Sequence, residues 1–127
     1  MFFDHANMIE EYKFGKIIIS GKNYNDDVSV DWNGEVSEWD KSDSHLIGID
    51  DVKAALEKKP EVIVVGTGRD GMAEMTEEAQ SFILGKGVKL MIDKTEEAVK
   101  TFNILKENSI EEEGRQAKVI GLFHLTC

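Results

Sequence analysis

Hydrophobic residues in this chain gather in short runs, and the most uniform run lies at its centre. Val62 to Val65 is an unbroken β-branched stretch with no polar alternation, which is typical of a strand buried on both faces. Apolar runs at 88–92 and 118–125 follow it, separated by helical patterns. This order predicts a parallel core with right-handed crossovers, in which 62–65 is the central strand and the other two flank it.

The front half shows a different pattern. Residues 16–20 predict a first strand, and 28–32 alternate apolar with polar side chains as a strand with one wet face does. Asn33-Gly34 favours a tight hairpin turn, after which 35–39 returns as the partner strand. We therefore expect an N-terminal antiparallel meander, preceded by a loosely held arm over residues 1–13.

Helix boundaries can be predicted from capping residues. Asp50 is expected to cap a short helix, and Thr76 a second one that Gly87 closes. Thr95 is expected to cap a third helix that Asn108 breaks. The expected fold class is α/β, a mixed sheet with a parallel core and the antiparallel meander.

Composition narrows the class of protein. A length of 127 residues predicts a single domain spanning 1–127. The formal charge of −10 disfavours nucleic acid and anionic membranes as partners. Apolar runs are too short for membrane insertion, and the early Asp4 and His5 predict no signal peptide. The one cysteine, Cys127, fits a cytoplasmic location.

Glycines follow the central strand in a pattern that resembles a dinucleotide site. We call Gly66–Gly71 the glycine loop; it matches G-x-G-x-x-G, and Asp93 lies where a ribose-binding acid would be expected. The helix signal at Thr76 comes too late for its amino end to face a phosphate, however, and one further strand is too few for a second half-domain. We therefore expect no NAD and no other cofactor. A shallow cleft over the loop and a merely close-packed turn both stay open.

Several motifs together resemble a known family of small α/β domains of unknown function. They are Gly66-Thr67-Gly68, Lys86-Gly87-Val88, Thr95-Glu96-Glu97-Ala98-Val99-Lys100, Phe102-Asn103-x-Leu105, Glu113-Gly114-Arg115, Ser44-His45 and Phe123-His124-x-Thr126-Cys127. That family includes archaeal proteins, the adipogenesis-associated domain protein and a mitochondrial respiratory complex I assembly factor. The resemblance covers about Gly15 to Cys127.

The resemblance implies a single three-layer α/β domain and carries no catalytic activity or cofactor to these positions. The mitochondrial relatives act as assembly factors through contacts with other proteins. This chain departs from the family in its longer turn at 108–113 and in lacking the glycine that often precedes Ser44-His45.

Candidate ligand-binding residues surround the glycine loop. They are Gly66, Thr67, Gly68, Arg69, His45 and Arg115, which together could attract a small anion. Arg115 precedes the last strand, so a parallel last strand would place it at the far edge of the sheet; the sequence leaves that direction open. His45 could serve as an acid or base or could simply hold its loop. No spacing predicts a metal site, and catalytic residues are not identified.

Two function classes follow. The first is a non-enzymatic protein-interaction or assembly module with an unidentified protein partner. The second is a small-molecule or anion-binding protein, which could include an enzyme, using the glycine loop. A large exposed apolar patch would favour the first class. A concave pocket at the loop with perturbed titrating groups would favour the second.

Overall fold

Ten strands and three helices make up the described fold. The computed structural model describes residues 8–41, 43, 45–113 and 117–127, and over 108–113 it describes the backbone alone. The strands are β1 (Ile9–Lys13), β2 (Lys16–Ile19), β3 (Lys22–Tyr24), β4 (Val28–Val30), β5 (Val36–Glu38), β6 (Leu46–Ile47), β7 (Val62–Thr67), β8 (Glu74–Met75), β9 (Lys89–Asp93) and β10 (Val119–His124). The helices are α1 (Lys53–Glu57), α2 (Glu77–Gly85) and α3 (Thr95–Glu113).

The main sheet has five strands in the order β5-β4-β10-β7-β9. β7 runs parallel to β10 on one side and to β9 on the other. β4 is antiparallel to β10, and β5 is antiparallel to β4. The predicted mixed sheet with a parallel core is confirmed, and the last strand is parallel. Every residue of β7 is buried, as the lack of polar alternation at 62–65 predicts.

Both faces of this sheet are covered, which produces three layers. On one face α3, β1 and β2 enclose a core that includes Phe102 and Ile17. On the other face α2 and α1 contribute Ile83 and Ala55 to a second core. Successive residues of β7 point alternately into the two cores, so the strand needs apolar side chains at every position.

The amino-terminal prediction needs correction. Ile9–Lys13, expected in a loosely held arm, forms β1 and pairs with β2. Ile9 is buried, and its backbone exchanges two hydrogen bonds with the side-chain amide of Asn103, at 3.2 and 2.9 Å. One buried side chain in five residues leaves little periodicity in the sequence. An amino-terminal antiparallel sheet is present as β1-β2-β3, but of the three strands expected in the meander only the first belongs to it; β4 and β5 form a hairpin on the main sheet.

Helix ends follow the capping rules only in part. The Thr76 hydroxyl accepts from the amide three residues on, at 3.0 Å, and Gly87 has a positive φ of 76° just beyond α2, so both predictions are confirmed. Asp50 is not the cap before α1. Its neighbour Asp51 accepts from the Gly48 amide at 2.8 Å and closes a single 3-10 turn.

The predictions for α3 are wrong at both ends. The helix starts at Thr95, but this hydroxyl accepts from the Gly68 amide at 2.8 Å and donates to the His124 carbonyl at 2.6 Å. It therefore ties α3 to β7 and β10 instead of capping its own helix. The helix also continues through Asn108 to Glu113, because one asparagine costs less than about 1 kcal/mol within a helix.

None of the helices in the described residues combines the length and apolar character that a bilayer span requires.

Candidate functional site

The glycine loop leaves the carboxyl end of β7 and packs closely against neighbouring backbone. A Cβ on Gly66 would lie 2.7 Å from the Thr95 hydroxyl oxygen. Gly68 has a φ of +103°, and a Cβ there would lie 2.6 Å from the carbonyl oxygens of both Thr126 and Cys127. Gly66 is thus required for the close approach of Thr95, and Gly68 for the close approach of the segment that follows β10.

Amides of the glycine loop donate within the protein. The Gly68 amide donates to the Thr95 hydroxyl. Arg69 donates to the Thr126 carbonyl at 2.8 Å, and Met72, just beyond the loop, donates to the Cys127 carbonyl at 2.9 Å. Oxygen atoms of the protein therefore occupy the positions in which an anion would meet these amides.

The predicted residues Thr67 and Arg69 are engaged with their neighbours. Thr67 is buried and donates its hydroxyl to the Asp93 carbonyl at 3.0 Å. Arg69 is exposed, and its guanidinium lies 4.6 Å from the centroid of the Phe14 ring and 3.4 Å from the Asp70 carboxylate. Arg115 lies outside the described residues.

His45 lies close to the segment after β10, which in turn packs against the glycine loop. Its backbone carbonyl accepts from the Glu74 amide at 2.9 Å. Its exposed imidazole places Nε2 3.8 Å from the Cys127 Sγ and meets the His124 ring edge-on, with centroids 5.9 Å apart. The structure thus brings His45 to the carboxyl edge of the parallel core.

A shallow, open groove of about 470 Å³ lies beside the loop, between the carboxyl ends of β7 and β9. Its lining includes three carboxylates, those of Asp70, Glu74 and Asp93, and the cation of Lys94. Ile92 supplies part of its apolar floor. The balance of charge suits a cationic group better than an anion.

Sequence reasoning missed a polar cluster at the same edge of the sheet. Asp27, just before β4, accepts from the Leu125 amide at 2.8 Å through Oδ1, while Oδ2 contacts His124 Nδ1 at 2.8 Å and also the Lys41 ammonium. The Lys41 side chain is only 2% exposed, and its Nζ lies 4.3 Å from the centroid of the Trp39 ring. One carboxylate therefore satisfies three donors from two separate segments.

Burial alone would raise the pKa of Asp27. The hydrogen bonds from His124, Lys41 and the Leu125 amide, together with the charge of Lys41, outweigh burial and lower that pKa from 3.8 to about 2. Asp27 is therefore ionised at neutral pH and acts only as an acceptor.

His124 connects this cluster to the surface. It is 2% exposed, and its Nε2 lies 3.4 Å from the Thr126 hydroxyl oxygen, which belongs to an exposed residue. The His-x-Thr spacing places both side chains on one face of an extended chain. This spacing was the feature of the sequence that indicated a contact between His124 and Thr126. The sequence contained no signal for Asp27, because its partners lie far away along the chain.

No three His, Cys, Asp or Glu side chains converge as a metal site within the ranges described. Side chains at this edge can form hydrogen bonds and ion pairs and can transfer a proton through imidazole.

Solved structures share this arrangement of elements. A conserved hypothetical protein from Pyrococcus horikoshii matches 94% of the chain over 98% of its own length, with 25% identity and a TM-score of 0.76. A Bordetella parapertussis protein matches 92% of the chain over 95% of its length, with 26% identity and a TM-score of 0.71. A Bordetella pertussis protein described as an Mth938-like domain shares the fold at 21% identity, with a TM-score of 0.59, over 96% of this chain and 90% of its own.

A family model extends the match to sequence. Residues 9–120 fit the model described as "Protein of unknown function (DUF498/DUF598)", which covers β1 and most of the parallel core. The chain therefore belongs to the DUF498/DUF598 family of proteins of unknown function.

Proposed function

We propose that this chain is a non-enzymatic protein-interaction module that binds an extended segment of a partner protein along the outer edge of β9. The observation that carries the proposal is the exposure of this edge. Among the described strands, β9 pairs only with β7. Met91 and Ile92, on its two faces, are 44% and 41% exposed. Apolar side chains on an edge strand with an unpaired side are a template for strand addition.

Backbone geometry defines how a partner strand would bind. The Lys89 amide donates inward to the Glu61 carbonyl at 3.0 Å. Backbone groups of successive residues in a strand point to opposite sides, so the amides of Leu90 and Ile92 face outward. These outward groups supply the hydrogen bonds that an added strand needs.

Charge indicates the chemistry of the partner segment. The formal charge is −10, and the carboxylate-rich groove lies at the carboxyl end of β9. A segment that alternates apolar with basic residues would place its cations against these carboxylates, whereas a second copy of this chain would bring like charges together. The resemblance to mitochondrial assembly factors, which act through protein contacts, also supports an interaction role.

A binding titration tests the proposal. The probe is a fluorescent synthetic peptide that alternates valine with lysine, and the readout is anisotropy. We expect saturable binding by the parent chain. Ile92→Lys should weaken binding about tenfold or more, equivalent to about 1.4 kcal/mol, because it removes an apolar contact and repels the lysines.

Matched controls separate edge binding from general charge attraction. Ile104→Lys makes the same charge change at a side chain on α3 that is 54% exposed, and it should bind the peptide as the parent does. A peptide of the same composition with a central proline cannot add as a strand and should not bind. If both variants lost the same affinity for the peptide, or if the proline peptide bound as tightly as the alternating one, the β9 edge would be ruled out as the binding site. Concentration-dependent dimerisation that Ile92→Lys abolishes would replace the partner with a second copy.

A second candidate function is small-molecule binding in the groove beside the glycine loop. The groove is concave and lies at the carboxyl ends of two parallel strands, where ligands of open α/β sheets bind. Its carboxylates and the occupied loop amides favour a cationic ligand over the small anion considered from the sequence. Calorimetric titration with phosphate and with spermidine distinguishes the two: heat of binding from spermidine alone would support a cation site.

A further inference from the structure

We propose that Thr126 is a covalent acceptor site, whose hydroxyl is activated by His124 and takes an acyl group from an activated ester or thioester. This inference is independent of the β9 edge. It rests on the chain of contacts Asp27–His124–Thr126, in which a carboxylate orients an imidazole and the imidazole faces a hydroxyl.

The carboxylate determines where the imidazole proton sits. Asp27 is ionised at neutral pH, so its Oδ2 can only accept, and His124 Nδ1 lies 2.8 Å from it. Lys41 Nζ also lies 3.4 Å from Nδ1, but the contact to the carboxylate is much shorter, and this assigns a hydrogen to Nδ1. In the neutral imidazole the other nitrogen, Nε2, then has a free lone pair, which is the state required of a general base.

The lone pair faces a hydroxyl. Nε2 lies 3.4 Å from Thr126 Oγ1, slightly beyond an ordinary hydrogen bond, and such pairs are often loose before a substrate binds. His124 is 97% buried at its side chain and fixed by Asp27, whereas Thr126 is exposed. The base is thus held rigidly, and the hydroxyl that it faces belongs to an exposed residue.

A second imidazole stands at the exposed side of the pair. The His45 ring lies edge-on to His124 with centroids 5.9 Å apart, and His45 itself is exposed. It borders the approach to Thr126 and can donate a hydrogen bond to a bound acyl donor.

The proposed acyl transfer has two stages, addition of the hydroxyl and collapse of the intermediate. Thr126 Oγ attacks the carbonyl carbon of the donor, and His124 Nε2 takes the hydroxyl proton. The tetrahedral intermediate collapses, the bond from the carbonyl carbon to the leaving alcohol or thiol breaks, and the proton passes from Nε2 to the leaving group. The products are an ester on Thr126 and a free alcohol or thiol.

The experiment uses p-nitrophenyl acetate as the acyl donor and the full chain in a Cys127→Ser background, which removes the competing thiol. Peptide mass spectrometry locates the acetyl group, and p-nitrophenolate release gives the rate. We expect acetylation at Thr126. Thr126→Val should abolish labelling there, and Thr126→Ser should retain it. His124→Gln should slow it about 100-fold or more, the usual effect of losing a general base.

Thr126 is exposed, so its variants are expected to fold, and circular dichroism checks this. Phenolate release that is unchanged in Thr126→Val, or acetyl groups found only on lysines, would overturn the proposal. If His124→Gln is folded and labels Thr126 at the parent rate, activation by His124 is refuted. If His124→Gln does not fold, the labelling rate of Thr126 is compared with that of Ser37, an exposed hydroxyl residue on β5; equal rates would also refute activation.

Discussion

Replacing Asp27 with asparagine should destabilise the fold at neutral pH. A carboxyl whose pKa falls from 3.8 to about 2 on folding contributes about 2 kcal/mol to the free energy of unfolding, at about 1.4 kcal/mol per pH unit. The substitution also leaves the Lys41 ammonium, 2% exposed, without its counter-ion. Removing one partner of a buried ion pair costs about 3–5 kcal/mol. Taking this together with the smaller value from the pKa, we expect the free energy of unfolding to fall by about 2–4 kcal/mol.

The pH dependence has a definite sign. Because folding lowers the pKa of Asp27, its contribution is fully present above about pH 4 and is lost as pH falls toward 2. Urea unfolding followed by circular dichroism should therefore show a gap between parent and Asp27→Asn that is large at pH 7 and shrinks below pH 4.

A matched control is Asp50→Asn. Asp50 pairs with Lys53 at 3.1 Å, but its side chain is 91% exposed, and exposed ion pairs contribute little. This variant should stay close to the parent at every pH. An Asp27→Asn protein that unfolds with the parent's midpoint at pH 7, or a gap that does not change with pH, would refute the reasoning.

Three further predictions concern the core and the loop. Val64→Asp places an unpaired charge in a residue that is 1% exposed and should lower stability by several kcal/mol; thermal melting at the parent temperature would contradict this. Gly68→Ala should cost about 1–3 kcal/mol by chemical denaturation because of its positive φ and the backbone carbonyls against it, whereas Gly85→Ala, with nothing within 4 Å, should be neutral or stabilising. Calorimetric titration with NAD should give no saturable isotherm, since the loop amides already donate within the protein; micromolar binding would contradict that account.

The parallel core could be predicted from sequence because its signal is local. Val62 to Val65 lacks polar alternation, and the two apolar runs that follow it along the chain are separated by helix-length segments, so strand type and order follow. β1 could not be predicted, because the burial of Ile9 depends on Asn103, a partner far along the chain. The cap predicted at Thr95 was wrong for a related reason. A threonine at the start of a helix usually caps it, but this hydroxyl instead bonds to the Gly68 amide and the His124 carbonyl.

The site could be predicted only as a region. The carboxyl end of the central strand follows from topology, and His45 does reach it. The role of the glycines did not follow, since G-x-G-x-x-G indicates close packing without identifying the neighbour. Thr95 packs against Gly66, and the segment after β10 packs against Gly68. Asp27 was missed because nothing near it in sequence indicates His124 or Lys41 as partners.

Amide hydrogen exchange along β9 tests the interaction role most directly. Exchange is measured by NMR on the free chain and with the valine–lysine peptide in saturating excess. If a strand adds at β9, the outward amides of Leu90 and Ile92 become protected by about tenfold or more when the peptide binds, while exchange of the Met91 amide, which faces β7, changes little. Binding that leaves Leu90 and Ile92 unprotected, or that protects a different element, would contradict strand addition at β9.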